Sequence, residues 1–191
     1  MRLSVLTIAN LITLLRIVLV PAIIWAILTN QTVLALVLFV VAGLSDAVDG
    51  TVARYFDQQT ELGTILDPIA DKLMLVSVFI SLAYLEAIPL WLVILIVSRD
   101  ILIIFGVFLA FFLSVPVKIK PLWISKANTV AQIFLAAWVL FTLAFDIQWM
   151  TAQIALELST GLLTALSAIA YLVQGIRLFA ASEQNARDSG N

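Results

Sequence analysis

Two neighbouring stretches decide how this chain reads: Asp46-Ala-Val-Asp49-Gly50-Thr-Val-Ala53-Arg54, and Gly63-Thr-Ile-Leu-Asp67-Pro-Ile-Ala-Asp71-Lys72. Each sits inside an apolar run long enough to be a membrane-spanning helix, where a carboxylate is expensive and marks function rather than packing. At 100° per residue, Asp46, Asp49, Gly50 and Ala53 fall within about 100° of one another, with Arg54 beside them. Gly63, Asp67 and Asp71 recur at every fourth position and form one stripe. The connecting residues Tyr55–Leu62 are few, so the two helices are expected to be antiparallel neighbours, with four carboxylates facing one gap.

The rest of the chain is what a bilayer demands. Of 191 residues, 63% are hydrophobic and 12% charged, against about 45–50% and 25% in a soluble domain. Mean hydropathy is +1.16. Six stretches qualify as spans: 8–28, 33–54, 63–85, 89–113, 126–145 and 152–179. They predict an all-α, six-helix membrane bundle forming one domain over residues 1–181, with a polar tail over 182–191. Arg2 ahead of an apolar run resembles a signal peptide, but Asn10, Thr13 and Arg16 interrupt the run, which reads as a retained first helix. Lys and Arg are absent from the first, third and fifth loops and present in the others. By the positive-inside rule both termini are then cytoplasmic.

Composition also narrows the chemistry. Ten basic against twelve acidic residues give a net charge of −2, which excludes electrostatic capture of nucleic acid. With no cysteine or histidine, disulfides, thiolate or imidazole metal sites and His or Cys catalysis are excluded. Four buried like charges repel and resist desolvation, and divalent cations relieve both problems. All-oxygen ligation suits Mg²⁺, Mn²⁺ or Ca²⁺. Four Asp around two ions is an arrangement for displacement at phosphorus. Gly50 and Ala53 leave room for a ligand against the helix, and Arg54 can fork onto phosphate oxygens. The rival reading is an ion or proton relay in a transporter. A relay needs no Gly50, Ala53 and Arg54 at fixed offsets, and no internal repeat of the kind many transporters carry is visible.

The eight fixed positions Asp46, Asp49, Gly50, Ala53, Arg54, Gly63, Asp67 and Asp71 resemble the signature of the CDP-alcohol phosphatidyltransferases. Asn10, Thr13 and Arg16 are similar to that family's N-terminal Asn-x2-Thr-x2-Arg. The resemblance covers most of the chain. It implies attack by an alcohol on the β-phosphorus of a CDP-linked lipid, with release of CMP. It also implies Asp46, Asp49, Asp67 and Asp71 as ligands of Mg²⁺ or Mn²⁺ (two ions), with Asp71 as general base. The CDP-lipid would rest on Asn10, Thr13, Asp49, Gly50, Ala53, Arg54, Thr60 and Gly63. A homodimer is implied as well.

The second half bears on the acceptor. Arg99 stands about ten residues, roughly 15 Å, into the fourth helix, and Asp71 roughly 12 Å into the third. The converging depths suggest that Arg99 lines a cavity open to the cytoplasm; the alternative is a structural pair with Asp100. Lys118 and Lys126 are further acceptor candidates, although charge asymmetry alone accounts for them. Ile119–Gln132 and Ser98-Arg99-Asp100 resemble the CMP-forming cardiolipin synthase branch. That implies CDP-diacylglycerol as donor, phosphatidylglycerol as acceptor and cardiolipin as product. The phosphatidylglycerophosphate synthase branch, with glycerol-3-phosphate as acceptor, is the alternative. Charge does not separate the two acceptors, both being anions. A bacterial plasma membrane, with the active site facing the cytoplasm, is the expected location. The tryptophans and Tyr84 read as interfacial anchors, Trp138 as packing, and Gly161, Ala165 and Ala168 as a face permitting close helix approach.

Overall fold

The computed structural model describes the backbone of residues 8–56, 61–112 and 123–188, and side chains within 15–45, 71–106 and 123–176. Among the described residues there are six helices and no strand: α1 (Ile8–Leu28), α2 (Thr32–Phe56), α3 (Glu61–Tyr84), α4 (Leu90–Phe112), α5 (Trp123–Ala144) and α6 (Met150–Asp188). Helices α1 to α5 match the apolar stretches of the sequence to within a few residues. The last helix runs nine residues further than its apolar stretch, through 182–188, where Glu183, Gln184, Ala186 and Arg187 are good helix formers. Two helical segments, Trp123–Ala144 and Met150–Ile176, are long and apolar enough to cross a membrane among the described residues.

Helices α1, α3 and α5 stop in the same way. Asn30, Glu86 and Asp146 take left-handed φ values of 58°, 57° and 51°. The amide of the next residue then reaches back five positions: Gln31 to the Ala26 carbonyl (2.8 Å), Ala87 to Leu82 (2.9 Å) and Ile147 to Thr142 (2.9 Å). This is the Schellman arrangement, which satisfies carbonyls that a helix end otherwise leaves bare. The residues are those whose polarity breaks the apolar runs in the sequence.

The described contacts divide the chain into two compact units, the boundary falling within α5 and α6. Unit 1 comprises residues 1–89 and 133–153. In it α1 packs against both α2 and α3, around a hydrocarbon core that includes Ile23, Ile27, Phe39, Phe79, Leu82, Leu135 and Leu140. Trp138 packs among Phe134, Phe141 and Trp149, its ring centroid 5.5 Å from that of Trp149. The Thr32 hydroxyl donates to the Leu143 carbonyl (3.3 Å) and Gln153 Nε2 to the Ala87 carbonyl (2.7 Å). These bonds gather the 29–31, 85–89 and 145–149 turns at one end of unit 1.

Unit 2 comprises residues 90–132 and 154–191. Trp91 and Leu92 of α4 press on α6 at Gly161, where an added Cβ would lie 2.8 Å and 2.9 Å from the Trp91 ring. The small-residue face foreseen for α6 is thus used, at Gly161, inside a single chain. Around both units the outward side chains are themselves apolar: Val18, Val37, Ile80, Ile94 and Phe105 are all exposed. Helices that are hydrophobic on every side suit lipid better than water.

Candidate active site

The two signature stretches lie on helical backbone. Asp46, Asp49, Gly50, Ala53 and Arg54 occupy the C-terminal part of α2; Gly63, Asp67 and Asp71 occupy the N-terminal half of α3. The spacings of three and four residues are therefore true helical spacings, with one turn between successive carboxylates on each helix. Both helices share α1, the helix that carries Asn10, Thr13 and Arg16, as packing partner. Only Asp71 of these eight lies within the described side chains. Those of Asn10 and Thr13 are outside them too, and Thr60 and Lys118 lie outside the described residues altogether.

Asp71 has a named partner. Its carboxylate accepts a hydrogen bond from Arg16 Nη1 of α1. Arg16 is 2% exposed and Asp71 39%, so the pair joins a buried guanidinium to a carboxylate that still reaches open space. This contact holds one oxygen of the expected base against α1. Sequence reasoning placed Arg16 in a motif but gave it no task. A pairing across 55 positions leaves no periodic trace, and an Arg inside an apolar helix was the only hint.

In unit 2 Arg99 is 2% exposed. Its Nη1 donates to the Asp100 carboxylate at 2.6 Å, Nη2 to Ser125 Oγ at 2.5 Å and Ser167 Oγ at 2.9 Å, and Nε to Ser167 Oγ at 3.2 Å. The guanidinium also lies 5.7 Å from the centroid of the Tyr171 ring. A charge this deep is tolerated because it is neutralised and hydrogen-bonded on every side. Lys126, exposed near the start of α5, sits over the Trp123 ring at 5.3 Å, a cation–π contact at the surface.

Residues 6–181 match the family model described as CDP-alcohol phosphatidyltransferase. The chain belongs to that family. The CDP-alcohol phosphatidyltransferases are membrane-bound and generally need a divalent cation, as the carboxylate pattern of residues 46–71 led us to expect. The CMP-forming cardiolipin synthase of Rattus norvegicus is 35% identical over 185 residues, covering 88% of this chain and 61% of the rat protein. That of Homo sapiens is 35% identical over 147 residues, 69% of this chain and 49% of the human protein. The chain thus spans about half to three fifths of the length of these curated relatives. A probable phosphatidylglycerophosphate synthase of Mycobacterium tuberculosis H37Rv is 30% identical over 192 aligned positions, 97% of this chain and 89% of that protein.

The donor set fits the cation this family uses. Four Asp at one-turn intervals on two helices offer only hard oxygen donors, the choice of Mg²⁺ or Mn²⁺ and a poor one for zinc or copper. Among the described residues no group of three acidic, His or Cys side chains forms a competing metal site.

Proposed function

We propose that this CDP-alcohol phosphatidyltransferase transfers a phosphatidyl group from CDP-diacylglycerol to a hydroxyl of phosphatidylglycerol, releasing CMP and forming cardiolipin. The observation that carries the reading is the complete eight-position signature set on two helices, with Asp71 paired to Arg16, in a chain 35% identical to cardiolipin synthases.

Asp71 acts as general base. As the acceptor oxygen bonds to the β-phosphorus, the hydroxyl proton moves to the Asp71 carboxylate, the bond to the CMP oxygen breaks, and CMP leaves. A carboxylate is a weak base toward an alcohol, so proton and phosphorus transfer must be concerted. Arg16 holds the carboxylate in place while this happens, which is how a positioned group gains its advantage over one in solution. Asp46, Asp49, Asp67 and Asp71 would hold two divalent cations, whose charge neutralises the diphosphate and makes CMP a better leaving group. Gly50, Ala53, Gly63 and Thr60 would leave space for and line the cytidine diphosphate, with Asn10, Thr13 and Arg54 contributing polar contacts. Lys118 and Lys126 are assigned to acceptor binding, and Arg99, buried and bonded to Asp100, Ser125 and Ser167, to supporting the helices that carry it.

We further read all six helices as spans, with residues 1–181 as one catalytic domain, the active site facing the cytoplasm of a bacterial inner membrane, and a homodimeric assembly. The orientation is supported by the three turns without Lys or Arg lying at one end of unit 1. The second reading, phosphatidylglycerophosphate synthesis, is favoured by the mycobacterial relative, nearly all of which this chain covers.

Purified protein in detergent with CDP-diacylglycerol and Mg²⁺ tests both. We expect CMP and cardiolipin with phosphatidylglycerol and none with EDTA. Product with glycerol-3-phosphate alone would transfer the assignment to the second reading.

A further inference from the structure

The buried polar side chains of unit 2 fall into two facing rows. On α6, Thr160, Thr164 and Ser167 are wholly buried, and their spacing of three and four residues places them on one face. Ser125, Asn128 and Gln132 form a similar row on α5. Two contacts set the register. Arg99 donates to both Ser125 and Ser167. Further along, the Thr164 hydroxyl lies 2.8 Å from both Asn128 Oδ1 and the Thr160 carbonyl, with one proton to share between them. Asn128 follows Ser125 while Thr164 precedes Ser167, so the two helices run antiparallel. One more turn along each brings Gln132 and Thr160 to a common level.

At that level the rows do not satisfy each other. Asn128 Nδ2, Gln132 Nε2, Gln132 Oε1 and Thr160 Oγ1 have no hydrogen-bond partner among the described residues, although all three residues are 0% exposed. Polar groups this deep are normally satisfied, by protein or by a small molecule between them. The four atoms narrow what that molecule is. The amide nitrogens need acceptors, Gln132 Oε1 needs a donor, and the Thr160 hydroxyl serves as either. A divalent metal ion asks for about six oxygens, and only two here are unmet. An anion would meet Gln132 Oε1, and the Glu157 carboxylate stands one turn further on the same face. Arg99 does not offset that charge, because Asp100 already neutralises it. Complete burial excludes a large guest. Water donates and accepts together, is small enough, and makes about three bonds at internal sites.

We propose that the α5–α6 seam of unit 2 is a binding site for internal water, held by the side chains of Asn128, Gln132 and Thr160. The water accepts from the amide nitrogens, donates to Gln132 Oε1 and bonds the Thr160 hydroxyl. At the level of Arg99 the two helices are tied through a guanidinium, and at Asn128 and Thr164 by a direct bond. One turn beyond, water is the tie. The site lies wholly within unit 2 and does not depend on the transferase reading.

Two measurements on the full chain test this. A structure of the wild type in lipid, at a resolution that shows ordered water, should carry density about 2.7–3.2 Å from Thr160 Oγ1 and from an amide atom of Asn128 or Gln132. Empty space there, or amides turned to bond protein groups instead, overturns the proposal. Stability gives the second reading through its sign. Where a buried hydroxyl is bare, an apolar group of the same shape is neutral or stabilising; where it holds water, the replacement loses a bond. Thr160→Val is nearly isosteric and has a similar helix propensity. It should lower the unfolding temperature in detergent by about 2–4 °C, the shift expected for one hydrogen bond in a chain of this length. An unchanged or raised unfolding temperature overturns the proposal. Should Thr160→Val not fold, the wild-type density decides alone.

Discussion

Among the described residues, Asp71 is the member of the signature whose side chain can be followed to a partner, Arg16. If Asp71 is the base, Asp71→Asn should abolish CMP release while CDP-diacylglycerol still binds, read by turnover and by equilibrium binding on the same preparation. Wild-type turnover in that variant would remove Asp71 from the role. Arg16→Gln leaves Asp71 without its guanidinium partner. Breaking a fully buried pair costs about 3–5 kcal/mol, and the exposure of Asp71 reduces this to about 1–3 kcal/mol. Thermal unfolding in detergent reads that loss, and kcat should fall by about tenfold or more through misplacement of the base. Arg16→Lys should recover stability better than rate, because an ammonium keeps the charge without the planar fork. At this scale the carboxylates were legible in sequence, since helical spacing and an apolar setting announce them. The Arg16–Asp71 pair and the hydroxyls around Arg99 were not, because tertiary partners have no local signature. Arg99–Asp100 was foreseeable only as one of two readings; the roles of Ser125 and Ser167 were not foreseen at all.

The helices were the most legible level, as continuous apolar runs separated by a few polar residues have few alternatives in secondary structure. What the runs did not disclose is the mechanism of their endings. Asn30, Glu86 and Asp146 each accept a left-handed backbone that costs an ordinary L-residue about 1–2 kcal/mol. Glu86 has the least local compensation of the three, so Glu86→Gly should stabilise the fold by about 0.5–1 kcal/mol after the entropy of glycine is deducted. A lower unfolding temperature in that variant would mean that the carboxylate has a role the backbone does not show. Gly161 is the opposite case. Its Cβ would meet the Trp91 ring, so Gly161→Leu should destabilise by about 1–3 kcal/mol through overpacking, and Trp91→Ala in the same chain should recover part of the loss. The polar row on α6 was present in the sequence at spacings of three and four, yet it was obscured by the small residues interleaved with it.

For the molecule as a whole, the sequence carries family and membrane class through composition and the eight-position signature, and the family match agrees with both. It carries orientation only through charge asymmetry. A single cysteine at position 30, introduced as Asn30→Cys, should react with an impermeant thiol reagent from the non-cytoplasmic side alone; labelling from the cytoplasm would invert the topology. The wild type contains no cysteine, so the signal has no background.

The left-handed turns also bear on how such a chain could enter a bilayer. Each closes its helix with a backbone hydrogen bond of its own, to which uncharged side chains such as Thr29, Thr32 and Gln153 add, with no basic side chain among them. In a six-span chain the segments that must be translocated are then 29–31, 85–89 and 145–149. They are short, closed by backbone hydrogen bonds, and free of lysine and arginine, the residues hydrocarbon resists most strongly. Insertion as three compact hairpins, each led by its sealed tip, requires no folded domain and no permanent cation to cross.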